Sequence, residues 1–433
     1  MIPSAAVDRP FLSLVEILGY SFFAFVVVLA ITPWFVDFLK RNKIGKQLRV
    51  ETIDGKDPTI FRQFHQAKFG TPTMGGILMW GGIILTIVFS RALSYFGIVE
   101  NSLLQRGQVY LPLFALVALG LLGALDDYLN IISADDERLR KAMPRIKWLI
   151  IVGALGLLAA GSWIVFTTGD AIAYLGQLTA TVGPIGSIAI ALLVVLIIGF
   201  VSLGGSLLKG MVGNQKKQKG LGFRQKIITL LLLSLVAALW FYLKLGHETI
   251  HVPTLGDFNV GWWYVPIFMF IFIGTVNAVN FTDGLDGLAG GLLAIAFGAF
   301  GVIAYITGLY VLAGFCAVCV GAIAGFLWNN VPPALFFMGD TGALALGGVL
   351  AVIAMMIEQP LVLPLVGFIF VVEMLSVIIQ LTSKKLRGGK KVFLSAPIHH
   401  HFEALGWGES KVTMRMWIVG GIMALLGVIV AGL

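Results

Sequence analysis

Five aspartates and three consecutive histidines are the residues of this chain best suited to chemistry: Asp126, Asp127, Asp283, Asp286 and Asp340, with His399, His400 and His401. All of them lie at or near the ends of long apolar runs. A carboxylate at the centre of a bilayer helix costs roughly 2.5–3.5 kcal/mol on insertion scales, so acids retained beside such runs are functional candidates. Hard carboxylate oxygens suit Mg²⁺, which typically bridges carboxylates and substrate phosphates. Lys68 and Lys219 also stand beside apolar runs and can neutralise phosphate oxygens. Two phosphate charges about 4 Å apart repel by roughly 4 kcal/mol at an effective dielectric near 20, so bringing two phosphate groups together calls for a metal and lysines. The residue set reads as a site for phosphoryl transfer between two anions, and a membrane setting allows one of them to be a lipid.

Taken singly, each feature has a plainer reading. An Asp pair at a helix end can be a solvated boundary. Asn280-Phe-Thr-Asp283-Gly-Leu-Asp286-Gly is rich in turn formers. Asp340 could merely cap the helix that follows it. Yet a turn does not require polar acceptors at i, i+3 and i+6 beside a membrane, and the plainer readings fare badly together. Three adjacent histidines on a helix would point about 100° apart and could not all ligate one ion. We read them as hydrogen-bond donors to an anionic group. Cys316 and Cys319 are the only cysteines and lie inside an apolar run, where packing is the expected role.

The elements that must position these residues follow from composition. The chain has 433 residues, 58% hydrophobic and 12% charged, with a mean hydropathy of +0.95. Too few polar residues remain to cover a water-soluble surface. Twelve apolar runs are long enough to span a membrane as helices: roughly 17–37, 75–97, 109–125, 148–167, 186–207, 227–243, 261–279, 288–306, 309–328, 342–357, 361–381 and 414–432. A β-barrel would instead show alternating ten-residue strands. The first run lacks a basic leader and a small-residue cleavage site, so it is not read as a removable signal peptide. The expected fold is an all-α polytopic membrane protein, a single integral domain over 1–433.

Orientation follows from the cations. Of 30 Lys and Arg, 26 fall in Lys40–Lys68, Arg138–Lys147, Lys209–Lys226 and Lys384–Arg415. With twelve spans these four segments share one side, which the positive-inside rule makes cytoplasmic, and both termini lie outside. The net charge of +8 is then mostly topology, with some attraction for anionic headgroups or substrates, and no sign of a nucleic-acid partner. Asp126-Asp127, the Asn280–Gly287 turn, Asn330–Asp340 and Pro397–Glu403 all fall on this cytoplasmic side, which places an active site there.

Six ordered motifs carry a resemblance. They are Phe69-Gly-Thr-Pro-Thr-Met-Gly-Gly-Ile77, Leu125-Asp-Asp-Tyr128, Lys219-Gly-Leu221, Asn277-Ala-Val-Asn-Phe-Thr-Asp-Gly-Leu-Asp-Gly-Leu-Ala289, Phe337-Met-Gly-Asp340 and Ala396-Pro-Ile-His-His-His-Phe402. Together the chain closely resembles the phospho-N-acetylmuramoyl-pentapeptide transferase family, over nearly its whole length except residues about 131–213. The resemblance implies a bacterial cytoplasmic-membrane enzyme that moves phospho-MurNAc-pentapeptide from UDP-MurNAc-pentapeptide to undecaprenyl phosphate, with Mg²⁺, giving lipid I and UMP. It implies catalytic carboxylates at Asp126, Asp127 and Asp286 and a magnesium ligand at Asp340. It further implies that Lys68, Asn330 and Phe337 contact the uridine end, Phe337 by stacking. Lys219 would lie beside phosphate, Asn280 and Gln380 would be polar residues of the cleft, and His399, His400 and His401 would help hold substrate. A homodimer is compatible with it.

Two departures stand out. Asn130 occupies a position where the family commonly has Lys. The runs 148–167 and 186–207 form an extra apolar pair, at about 147–208, beyond the family's ten spans; two added crossings preserve the sidedness of the site. One-step attack by the lipid phosphate, with Asp126 as candidate base, and a two-step route through a carboxylate nucleophile both remain open. A sibling enzyme moving another phospho-N-acetylhexosamine, such as phospho-GlcNAc, is the alternative function. A cation-coupled transporter is the alternative class, disfavoured because the acids lie at span ends and no inverted repeat is visible.

Overall fold

The computed structural model describes residues 12–42, 44–45, 68, 70–104, 107–132 and 223–433. Helix α1 (Leu14–Arg41) begins at a capping box, in which the Ser13 hydroxyl accepts from the Glu16 amide and the Glu16 carboxylate accepts from the Ser13 amide. Its last turn carries Lys40 and Arg41, which complement the negative end of the helix dipole. There follow α2 (Gly76–Tyr95), α3 (Tyr110–Ile132) and α4 (Phe223–Leu239), the last continued by a π turn over Trp240–Lys244. A hairpin of β1 (Thr249–Val252) and β2 (Gly256–Asn259) pairs Thr249 with Asn259 in antiparallel register. The remaining helices are α5 (Tyr264–Thr282), α6 (Leu288–Ile306), α7 (Tyr310–Asn330), α8 (Asp340–Met356), α9 (Leu363–Val366), α10 (Phe368–Leu386), α11 (Ile398–Ala404) and α12 (Glu409–Ala431).

Among the described residues eight helices are long and apolar enough to cross a membrane, and α8 is a shorter apolar helix of 17 residues. Among the described residues the hairpin is the only sheet. The protein is thus an all-α polytopic membrane protein. Ten of the twelve predicted spans fall on described helices; 148–167 and 186–207 lie outside the described residues.

Three details differ from the sequence reading. Helix α3 runs on to Ile132, so Asp126 and Asp127 lie within a continuous helix rather than at its end. The predicted span 361–381 is broken at Gly367 into short α9 and long α10, and α10 continues to Leu386 through a polar and basic last turn, which reading by apolar length does not reach. The hairpin fills a connection in which sequence reading placed no element.

By contacts between residues the chain divides into one unit formed by 1–127 and 240–433 and a second formed by Tyr128–Leu239. Of the second, the structure describes the end of α3 and helix α4. In the first, α1 packs on α7, α7 on α6, α6 on α12 and α5 on α8. Helix α8 is buried without interruption from Thr341 to Met355, as a helix apolar on all sides must be. Small residues permit this density: a Cβ on Gly348 would sit 2.0 Å from a Leu119 methyl, and one on Gly76 2.1 Å from the Gly342 nitrogen.

Candidate active site

The N-terminus of α8 is the centre of the site. Helices leave their first N–H groups unpaired, and here a carboxylate from another helix satisfies them. Asp127 of α3 accepts from the Asp340 amide (3.3 Å), the Thr341 amide (3.0 Å) and the Thr341 hydroxyl (2.7 Å). Asp127 therefore caps α8 in trans and meets the positive end of its dipole. Two glycines let it reach. A Cβ on Gly123, one turn earlier in α3, would lie 2.2 Å from the Asp340 carbonyl oxygen. Gly339 has φ +72°, and a Cβ there would fall 2.4 Å from an Asp127 carboxylate oxygen. Asp126 is adjacent in the chain and 1% exposed, about 100° around the helix from its neighbour.

The turn between α5 and α6 meets the same point. Asn280 donates to the Asp340 carboxylate (2.9 Å), and Asp283 accepts from the Gly339 amide (3.1 Å). At the far end of the turn, Asp286 pairs with Lys68 (2.6 Å) and accepts from the Ala334 amide (3.0 Å). Lys68 also pairs with Glu409, whose carboxylate accepts from the Asp286 amide at 2.7 Å. Its ammonium lies 5.7 Å from the centre of the Phe337 ring, within cation–π range. Asn330 is buried, accepting from the Gly287 amide (3.0 Å) and donating to the Phe336 carbonyl (2.8 Å). It ties the acidic turn to the loop before α8. Backbone bonds from Phe337 to Pro72, Gly75 to Phe337 and Gly76 to Met338 fix that loop against the start of α2.

The three histidines of α11 diverge, as their helical spacing requires. His399 is fully buried and its Nδ1 lies 3.0 Å from Glu373 of α10. His400 Nδ1 lies 2.7 Å from Glu403, and His401 Nδ1 accepts from the Leu394 amide at 3.2 Å. Gln380 accepts from the Val392 and Phe393 amides and donates to the Phe393 carbonyl, holding the loop between α10 and α11.

The structure therefore brings Lys68, Asp127, Asn280, Asp286, Asn330, Phe337 and Asp340 into one bonded network, and His399 joins it through packing on Gly284. Gln380, His400 and His401 lie on neighbouring elements, with the Gln380 amide and the two Nδ1 atoms engaged locally. Lys219 lies outside the described residues. Sequence reasoning missed Thr341, Glu373 and Glu409 as members. Glu409 had a signal, since it is an acid just before the last apolar run on the predicted inner side; so did Glu373, an acid inside an apolar run. Among the described residues no three His, Cys, Asp or Glu form a ready-made metal cage.

The fold and site define an integral-membrane protein whose membrane-length helices gather carboxylates, amides and a lysine from distant segments of the chain. Residues 199–358 match the glycosyl transferase family 4 model. A phospho-N-acetylmuramoyl-pentapeptide-transferase from Chloroflexus aurantiacus is 34% identical over 421 residues, covering 94% of this chain and 87% of that protein. Proteins of the same name from Geobacillus thermodenitrificans and Oceanobacillus iheyensis are also 34% identical, over 94% of both chains in each case. The chain belongs to the phospho-N-acetylmuramoyl-pentapeptide transferase family.

Proposed function

We propose that the protein transfers phospho-MurNAc-pentapeptide from UDP-MurNAc-pentapeptide to undecaprenyl phosphate on the cytoplasmic side of a bacterial inner membrane, releasing UMP and forming lipid I. The observation that carries this reading is the convergence on the start of α8, where Asp127 from within α3, Asn280 from the last turn of α5 and Asp283 from the turn after it meet Asp340 and the Gly339 amide. In the reaction, an oxygen of the lipid phosphate bonds to the sugar-linked phosphorus. The bond from that phosphorus to the bridging oxygen breaks, and UMP leaves carrying that oxygen. A phosphate monoester has its second pKa at about 6, so the attacking group is mostly dianionic at neutral pH and a base has little to remove. Asp126 stands as the candidate should one be used.

The donor set fits Mg²⁺. It is made of oxygens only, and Mg²⁺ is usually held by one or two carboxylates together with substrate phosphates rather than by a closed protein cage. Asp340 would hold it, and when bound it would offset charge on the pyrophosphate. Asn280 and Asp127 keep Asp340 oriented through its carboxylate and its amide. Lys68, Phe337 and Asn330 would receive the uridine end, with Lys219 beside phosphate. His400 and His401, with Gln380 holding the preceding loop, would face the sugar and peptide. His399 contributes from within.

The test is direct. Purified protein with undecaprenyl phosphate and Mg²⁺ is given each UDP-sugar in turn, and UMP release is measured. Release with UDP-MurNAc-pentapeptide supports the reading; release with UDP-GlcNAc alone points to the sibling enzyme; none with either rejects both.

A further inference from the structure

Glu373 and His399 form the most thoroughly enclosed polar pair among the described ionisable side chains, both 0% exposed. Glu373 lies on α10, in the second turn from its start at Phe368, and its Oε2 is 3.0 Å from His399 Nδ1. Its other oxygen, Oε1, and His399 Nε2 are both buried without a hydrogen-bond partner. Leaving two polar atoms dry carries a penalty of roughly 1–3 kcal/mol each, so the arrangement needs a reason beyond stability. The ring itself supplies one. The Nε2 end of the His399 ring abuts Gly284, in the middle of the acidic turn: a Cβ there would be 2.2 Å from Nε2, 2.7 Å from Cε1 and 3.3 Å from Cδ2. The imidazole fills the space that any other residue at 284 would occupy.

We propose that Glu373 is a positioning residue which, through His399, fixes the Asp283–Asp286 turn. The carboxylate accepts from His399 Nδ1–H, and this sets both the tautomer and the plane of the ring. The ring then acts as a wedge behind Gly284. Asp283 lies directly before that glycine and binds the Gly339 amide beside Asp340, while Asp286 lies two residues after it and binds Lys68. A shift of the wedge is felt at both ends of the site. For its kinetic readout the inference rests on the proposed transferase activity.

The experiment uses the full chain in detergent or nanodiscs, with Glu373→Gln, Glu373→Leu, His399→Leu and the Glu373→Leu/His399→Leu double variant. Two quantities are read: amide hydrogen exchange of the 280–288 segment, and kcat and KM for the UDP-linked substrate. Glu373→Leu is expected to speed exchange of the turn at least tenfold and to lower kcat at least tenfold, with KM within threefold. Glu373→Gln keeps an acceptor for Nδ1–H and should retain at least a third of kcat. The double variant should lose no more than His399→Leu alone, because the two residues act as one unit. Additive losses, a Gln variant as impaired as the Leu variant, or unchanged exchange of the turn would each overturn the proposal. Should Glu373→Leu fail to accumulate, Glu373→Asp keeps the charge but retracts it by one methylene; it should resemble the loss variant, and wild-type behaviour would reject the proposal. If the unmodified protein turns over no UDP-sugar, the transferase reading fails while hydrogen exchange still decides this one.

Discussion

At the scale of single residues, the carboxylates divide the labour by what their oxygens already bind. Asp127 accepts three donors at the start of α8, so it works as a cap and a dipole partner. A cap of this kind is worth about 0.5–2 kcal/mol. Asp127→Asn should lower Tm by a few degrees and turnover by about a hundredfold, measured by thermal unfolding and UMP release. Both should move together, because the same bonds hold the helix and place Asp340. Asp340→Asn should behave differently. Its backbone amide still donates to Asp127, so Tm should stay within a few degrees while turnover falls by at least about a hundredfold. Near-normal turnover of that variant at low Mg²⁺ would contradict the metal role of Asp340.

Among the elements, the decisive feature is how closely α3 approaches α8. Gly123 has no side chain where one would strike the Asp340 carbonyl at 2.2 Å. Gly123→Val should push the helices apart, with a cost of about 1–3 kcal/mol from overpacking and loss of most activity. Gly81 of α2 is the matched control, since a Cβ there meets nothing within 4 Å. Gly81→Ala should leave Tm and turnover unchanged or slightly improve Tm, because alanine is the better helix former. Equal damage from both substitutions, read by Tm and activity, would mean that close approach is not the cause.

For the whole molecule, the testable quantities are sidedness and substrate choice. Helix α5 runs from the hairpin end at Tyr264 to the acidic turn at Thr282, and 19 residues at 1.5 Å rise span ~28 Å, about a bilayer core. The hairpin and the acidic turn should therefore lie on opposite faces. Leu255 at the hairpin is 71% exposed and Leu386 at the end of α10 is 76% exposed, whereas the native Cys316 and Cys319 are fully buried. Leu255→Cys should react with an impermeant thiol reagent from outside intact cells, and Leu386→Cys only after the membrane is opened. The reverse pattern would invert the proposed topology. Substrate choice should favour UDP-MurNAc-pentapeptide over UDP-GlcNAc by more than a few-fold, because polar groups left unpaired in a desolvated site carry a cost. Equal turnover of the two would count against a role for His400 and His401 in discrimination.

The sequence by itself determined that the chain is a polytopic helical membrane protein, because apolar length and charge placement are local properties that need no partner. It also determined the family, and which acids, amides and imidazoles to consider, since the six motifs are contiguous strings. It did not determine what each side chain binds. Asp127 reads as one of a pair at a span end, yet its role as a cap depends on α8, more than two hundred residues away, being brought within 3 Å by Gly123 and Gly339. The three histidines look equivalent in a row. Packing alone turns His399 inward to Glu373 and Gly284 while His400 and His401 bond elsewhere. Glu409 carries no motif of its own and joins the site only because α12 starts beside Lys68 and the Asp286 amide. Tertiary structure decided these roles because a hydrogen bond is settled within 3.5 Å in space, and sequence distance says nothing about that.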